Sequence, residues 1–488
     1  MLQSEGLRPG LSLFDSATIV AGSMIGSGIF IVSADITRQL GSPAGLLMVW
    51  IVSGLMTIAG ALAYGELAAI MPHAGGQYVF LREAYGELLA FSFGWTLLFV
   101  IQTGTIAAVA VAFARFGGVL WPALGSRILV GRGSFGLSGE RLGAIAAIAL
   151  LTAVNLRGLH LGRLVQNAFT SAKVLSLLLI VAVGCLIAPD RSALSANFGS
   201  AAAFFGPRPV SIGLIAAFGS AMVGGLFSSD AWASVTFAAS EVRNPRRDLA
   251  RALALGTGVV IALYVFTNLA YLCELPASSH PGVAHTAAER VFLAGIAGAP
   301  SDRVAAAAMR VVWGDSGATL TAILVMVSSF GCANGLILTG ARVTYAMVQD
   351  GLFPAAAGRL NRAAVPAVAL VMQGVWAALL ALSGTYSELL DYVIFAQLLF
   401  YALTVGAVFI LRRRWPDAPR PYRTWGYPVL PAAYIMAAVA LMIDLLIMKP
   451  RYTWPGLLIA LSAVPVYSWM ARSRAVRRVL NNTKSDGR

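Results

Sequence analysis

The sequence predicts an all-α polytopic membrane protein of twelve spans, two of them broken near their middles. Three observations predict it. Of 488 residues, 58% are hydrophobic and only 11% charged, whereas a soluble domain carries about a quarter charged residues. Apolar segments long enough to cross a bilayer at ~1.5 Å per residue recur along the chain. Two of them are interrupted by glycine and serine at matching places: Gly22-Ser23-Met24-Ile25-Gly26-Ser27-Gly28-Ile29-Phe30 in the first and Gly224-Gly225-Leu226-Phe227-Ser228-Ser229-Asp230-Ala231-Trp232 in the sixth.

The spans fall at 12–40, 43–71, 88–114, 142–156, 164–188, 210–239, 249–274, 317–347, 364–383, 387–411, 428–448 and 455–471. Loops assigned alternately place nearly two thirds of the 35 basic residues on the side that holds both termini. The clearest clusters there are Arg243/Arg246/Arg247/Arg251, Arg412 to Arg414 with Arg420 and Arg423, and Arg472 to Arg478. Basic loops mark the cytoplasmic side, so a short N-terminus (1–11) and a tail (472–488) are expected in the cytoplasm, with the chain in the plasma membrane. The loop 115–141, carrying Arg115, Arg127, Arg132 and Arg141, runs against this trend. The polar stretch from Met1 to Gly10 reads as no cleavable signal. The net charge of +14 is explained by these loops, so no nucleic-acid partner is expected; the partners are the bilayer and a small molecule. The loop 275–316, helical in pattern from Ser301 to Val312, reads as an external cap. The stretch 71–90, with Gly75-Gly76, reads as an interfacial or re-entrant segment.

Chemistry requiring a metal or cofactor finds no support. Cys185, Cys273 and Cys332 fall within or at the ends of apolar segments and read as packing residues. His73, His160, His280 and His285 lie in loops or at span ends, without metal-ligand spacing. No phosphate-binding glycine loop ending in Lys-Ser or Lys-Thr occurs. The sequence therefore predicts neither an enzyme nor an ATP-driven pump.

The breaks carry the functional signal. Glycine costs roughly 1 kcal/mol relative to alanine inside a helix. In lipid, an open backbone persists only where it lines a protein cavity, because unpaired N–H and C=O groups cannot face hydrocarbon. A broken span offers free N–H groups on one half-helix and free carbonyls on the other, which suits a ligand with both a carboxylate and an ammonium, such as an amino acid. Interruptions five spans apart point to inverted repeats around a midplane site. The expected division is 12–188 and 210–411, with 428–471 added.

Further segments complete a resemblance. They are Tyr64-Gly65-Glu66-Leu67, Lys173, Glu241-Val242-Arg243-Asn244-Pro245, Ser329-Phe330-Gly331-Cys332-Ala333-Asn334-Gly335, Asp350-Gly351-Leu352-Phe353-Pro354 and Pro416-Asp417-Ala418-Pro419-Arg420-Pro421-Tyr422-Arg423. Together with the two breaks, these make the chain resemble the amino acid–polyamine–organocation superfamily, and within it the L-amino-acid transporter branch. The resemblance implies a leucine-transporter-type 5+5 inverted repeat and sodium-independent exchange of neutral L-amino acids. A proton-coupled symporter, a cationic amino acid transporter and a non-transporting receptor are the alternatives. Animal members of the branch join a heavy chain through a cysteine after the third span. The stretch 115–141 has none, so no disulfide-linked heavy chain is expected. Many members also carry asparagine where this chain has Ala233.

The expected substrate site consists of Met24, Ile25, Gly26, Ser27, Gly28, Phe227, Ser228, Ser229, Asp230 and Trp232. N–H groups of Gly26 to Gly28 would take the carboxylate, and carbonyls near Met24, Ile25, Phe227 and Ser228 the ammonium. By resemblance, Phe227 closes over the substrate as an outer gate. Sodium-coupled transporters of this fold hold a cation between spans 1 and 8; by resemblance, Lys173 takes that place against Gly22, Ser328 and Ser329, or serves proton coupling. Gln102, Thr103, Thr105 and Asn334 are candidates to line the side-chain pocket. Asp230 reads as a brace for its own break ahead of a partner for a cationic side chain. Glu66 reads as one half of an inner-side ion pair. Asp444 has no assigned role.

Overall fold

The computed structural model describes residues 10–485 except 74, 126, 131–135, 158, 207–210, 281, 364 and 384–385. The chain is an all-α membrane bundle, with one short antiparallel hairpin at 128–130 and 137–138. Among the described residues, seven helices are long and apolar enough to cross a membrane, and three shorter apolar helices join them.

The first predicted span is two helices. α1 (Leu13–Met24) starts on a capping box, with Ser12 and Asp15 reciprocally bonded, and stops at Met24. After a single turn at Gly28–Phe30, α2 (Val32–Leu40) ends on the left-handed Gly41. α3 (Pro43–Ile70) follows, and α4 (Gln77–Tyr85) lies within the stretch 71–90. The third span departs from its predicted 88–114. α5 (Glu87–Thr96), a π turn at Leu97–Ile101 and α6 (Gln102–Leu120) run on past Arg115. Arg115 does not end the helix because its guanidinium is paired with Glu140, 3.1 Å away. α7 (Gly139–Asn155) and α8 (Leu159–Ala182) complete this half; of the first ten residues of α8 only the backbone is described.

The sixth span is also split, into α11 (Ile212–Ser228) and the single turn α12 (Ser234–Phe237), after the short α9 (Arg191–Phe198) and α10 (Ala201–Phe205). α13 (Pro245–Glu274) leads to the cap, where α14 (Ala287–Ala294) precedes α15 (Val304–Gln349). The predicted cap helix from Ser301 begins at Val304 instead, because Ser301 and Asp302 take positive φ. α15 kinks at Trp313 and Gly314 before crossing. α16 (Ala367–Ser383), α17 (Tyr386–Arg414), α18 (Val429–Met448) and α19 (Pro450–Ser485) finish the chain. The last is twice the length of the predicted span and passes through Pro455 and Pro465.

Burial sorts centre from rim. The most apolar window of the third span is 89% buried, that of α18 only 28%, so α5–α6 run through the centre while α18 faces lipid. Small residues allow the closest approaches. A Cβ on Gly54 of α3 would stand 2.3 Å from Ile261 of α13, and one on Gly256 of α13 2.7 Å from Val20 of α1.

Ion pairs lace both ends. On one face Glu66, almost fully buried, accepts from Arg412 (2.9 and 2.7 Å), from the Thr424 N–H (2.7 Å) and from the Thr424 hydroxyl (2.8 Å). This ties the end of α3 to the end of α17. Nearby, Asp350 accepts from Arg82 (2.6 Å) and Tyr78 (2.7 Å). On the opposite face Asp302 of the cap holds Arg38 at 2.7 Å. Asp444 packs against Gly219, with no function evident from its surroundings.

Removing one partner of a buried charge pair costs about 3–5 kcal/mol because the other charge stays buried. Glu66→Gln is therefore expected to lower the thermal unfolding midpoint of the purified protein in detergent, with Arg412→Gln in the same chain recovering part of the loss. A double variant less stable than Glu66→Gln alone would contradict the pairing.

Candidate functional site

The two breaks face each other. A Cβ on Gly28 would fall 2.1 Å from the Ser228 Oγ and 3.0 Å from the Ser228 Cα. Glycine at 28 is thus required by the approach of the second broken span. Between the breaks lies a small cavity of about 20 Å³, roughly the room of one water. It is lined by Met24, Gly26, Ser27, Gly28, Phe227, Ser228 and Asp230, and walled by Thr105, Val109 and Cys332.

Each break exposes its backbone. The Gly26 N–H turns back onto the Met24 carbonyl (2.8 Å), and the N–H groups of Gly28 and Ile29 meet no carbonyl among the described residues. These donors open a helical turn, where the peptide dipoles favour negative charge. Among the described residues the Ile25 carbonyl accepts only a long bond from the Ser328 hydroxyl, 3.3 Å. In the second break Ala231 takes φ 65°, the left-handed region that costs a non-glycine residue about 1 kcal/mol or more. Strain of this kind gathers at functional turns.

A residue not anticipated from the sequence joins the breaks. The Tyr264 hydroxyl of α13 shares its hydrogen between the Met24 carbonyl (2.9 Å) and the Ser228 carbonyl (3.0 Å). Its ring is held edge-on by Trp50 at 5.3 Å. Two carbonyls expected to be open to an ammonium are therefore already engaged. A tyrosine in an apolar span carries no sequence mark of such a role; the signal available was the polar series Tyr264, Asn268 and Tyr271 on one face of α13. Asn268 accepts from Ser33 (2.6 Å), so that face binds the first span throughout.

Lys173 of α8 is buried, and its Nζ donates to the Gly22 carbonyl at 2.8 Å. No carboxylate lies within ion-pair distance of it among the described residues. Its ammonium therefore serves the freed Gly22 carbonyl of α1. Ser328 donates instead to Ile25 and Gly26, and the Ser329 hydroxyl is buried without a partner among the described residues. Cys332 places its Sγ 3.4 Å from the Ser23 carbonyl, so a residue expected to be packing also touches the first break.

The other candidates divide. Thr105 reaches the cavity, although its hydroxyl caps the Ile101 carbonyl at 2.7 Å. Gln102, Thr103 and Asn334 do not line it: Gln102 donates to Leu336, Thr103 to Leu98 at the π turn, and Asn334 accepts from Asn155. Ser229 is buried with its hydroxyl unpartnered. Trp232 lies behind the cavity, between Tyr64 (4.7 Å) and Tyr401 (4.9 Å) and over Gly60. Asp230 sits between cavity and aromatic cluster. It accepts from the Tyr401 hydroxyl at 2.7 Å.

Two substitutions test this geometry. Tyr264→Phe removes a buried donor shared by two carbonyls and is expected to cost about 1–3 kcal/mol, read as a lower unfolding midpoint in detergent; an unchanged midpoint would refute the shared bond. Ala231→Gly relieves the left-handed strain and should be neutral or stabilising by about 1 kcal/mol, whereas Ala231→Val should destabilise.

Comparison with known proteins gives the family. The amino acid permease family model matches residues 11–467. The chain is 29% identical over 94% of its length to the large neutral amino acids transporter small subunit 2 of Homo sapiens, covering 80% of that protein. It is 28% identical over 97% of its length to the serine/threonine exchanger SteT of Bacillus subtilis (strain 168), covering 99% of it. The Asc-type amino acid transporter 1 of Homo sapiens matches at 27% over 97% of this chain and 85% of its own. The chain belongs to the amino acid permease family.

Proposed function

We propose that this permease exchanges neutral L-amino acids across the plasma membrane without sodium, alternating access to the cavity between the two breaks. The observation that carries this reading is the pair of facing breaks. Donors at Gly28 and Ile29 suit a carboxylate, and the lightly engaged Ile25 carbonyl suits an ammonium. The order of the helices, with the breaks in α1–α2 and α11–α12, supports 12–188 and 210–411 as inverted repeats, with 428–471 added.

Substrate charge and coupling follow from two side chains. Asp230, engaged by the Tyr401 hydroxyl, is less ready to pair with a cationic side chain, which favours a neutral substrate. Lys173 on the Gly22 carbonyl supplies a fixed positive charge beside the first break, which favours sodium independence. The names of the relatives, a serine/threonine exchanger among them, support exchange. Basic clusters at 243–251 and 412–423 support cytoplasmic termini and an outward-facing cap at 275–316. The absence of cysteine from 115–141 supports function without a disulfide-linked partner.

In proteoliposomes, uptake of labelled neutral amino acid is expected only when the vesicles hold unlabelled amino acid, and equally in sodium and choline buffers. Uptake into empty vesicles driven by an inward proton gradient would overturn exchange. Lys173→Ala is expected to cut exchange at least about a hundredfold, the order of losing an ~3 kcal/mol charge–dipole contact, while inserting and purifying normally. Unimpaired exchange would remove Lys173 from the mechanism.

A further inference from the structure

Away from the substrate cavity, a larger one opens beneath the cap, with about 200 Å³ of free space. Gly118 and Val119 at the end of α6, Val291 of α14 and Pro300 form much of its wall, and Arg303 and Arg310 supply its charge. Arg303 has no carboxylate within ion-pair distance among the described residues. Its guanidinium makes only long bonds to neutral oxygens: the Pro300 carbonyl (3.5 Å), the Arg115 carbonyl (3.4 Å) and the Ser301 hydroxyl (3.3 Å). Arg310 has a buried Nε without a partner. Its Nη2 meets Asp315 at 3.0 Å, a carboxylate 82% exposed to solvent.

The acidic groups nearby are engaged elsewhere. Asp302 holds Arg38 at 2.7 Å, and Glu140 holds Arg115 at 3.1 Å. Burial, with the positive charges of Arg115 and Arg310 close by, pushes the Arg303 guanidinium below its ordinary value. Like charges only partly offset by Asp315 and Glu140, at the wall of a roomy cavity, attract an anion. The guanidinium fork matches the paired oxygens of a carboxylate or sulfate better than a spherical halide.

We propose that this cavity is a binding site for a small oxyanion, formed by Arg303 and Arg310 and separate from the exchange site. Two sources supply that chemistry: the α-carboxylate of an amino acid arriving at the cap face, and an inorganic oxyanion such as sulfate. The first source rests on the proposed exchange and orientation; the binding site itself does not.

Thermal unfolding of the purified protein in detergent tests the site without transport. Sodium acetate or sodium sulfate, against chloride at equal ionic strength, is expected to raise the midpoint of the wild type. The rise should vanish in Arg303→Gln/Arg310→Gln and grow in Asp315→Asn, where the exposed competitor for Arg310 is gone. No rise in the wild type, or equal rises in wild type and Asp315→Asn, would overturn the proposal. Exchange kinetics then separate the sources. If the substrate carboxylate visits the site, Arg303→Gln/Arg310→Gln raises KM from the cap face about tenfold, the worth of one charge-assisted contact, with KM from the other face unchanged. An unchanged cap-face KM beside intact wild-type acetate and sulfate shifts assigns the site to an inorganic oxyanion. Wild-type vesicles without flux would refute exchange while the unfolding result still decides the site.

Discussion

A polar backbone opened inside a membrane has to be satisfied, and the centre of this protein is arranged around that need. Two spans give up helical hydrogen bonds near Gly26 and Ser229. Around the first break the freed carbonyls are taken up by side chains from three other helices: Lys173 on Gly22, Tyr264 on Met24, Ser328 on Ile25 and Gly26. Tyr264 spends the same hydroxyl on Ser228, so one donor fixes the spacing of the two breaks. In a low-dielectric interior such bonds are strong, and leaving either partner alone is costly. The carbonyls are thus largely committed, while the N–H groups of Gly28 and Ile29 are not. That asymmetry makes the site a receiver of negative charge.

Behind the site, the same economy governs Asp230. A buried carboxylate needs donors, and it finds one in the Tyr401 hydroxyl. Tyr401 also packs with Trp232 and Tyr64, so the second break is braced against α17 and α3. The opposed ends of the bundle are joined by separate ion pairs, Glu66 to Arg412 on one face and Asp302 to Arg38 on the other.

Much of this was legible in the sequence because membrane constraints act on composition. Spans are written as apolar length, and the breaks as Gly-Ser clusters that no lipid-facing helix tolerates. That Lys173 has to face a partner rather than lipid was legible for the same reason; its place beside Gly22 was expected only from the family resemblance. What could not be read were side chains whose role depends on direction. Tyr264 looks like any aromatic of a span until its hydroxyl is placed between two carbonyls. Gln102, Thr103 and Asn334 looked like pocket groups, yet bond to Leu336, Leu98 and Asn155. Trp232 lies at the break but turns away from the cavity, because Gly60 leaves a seat for its ring. Helix ends failed where an ion pair or proline altered local expectation, as at Arg115 and along α19.

The central claim is that main-chain groups of the first break, where it faces the second, hold the substrate. An experimental structure of the protein with a neutral amino acid bound tests it most directly. The account predicts the carboxylate on the N–H groups of Gly28 and Ile29, and the ammonium at the Ile25 carbonyl. An amino acid seated instead among Asp230, Tyr401 and Trp232, with the N–H groups of Gly28 and Ile29 untouched, would contradict it.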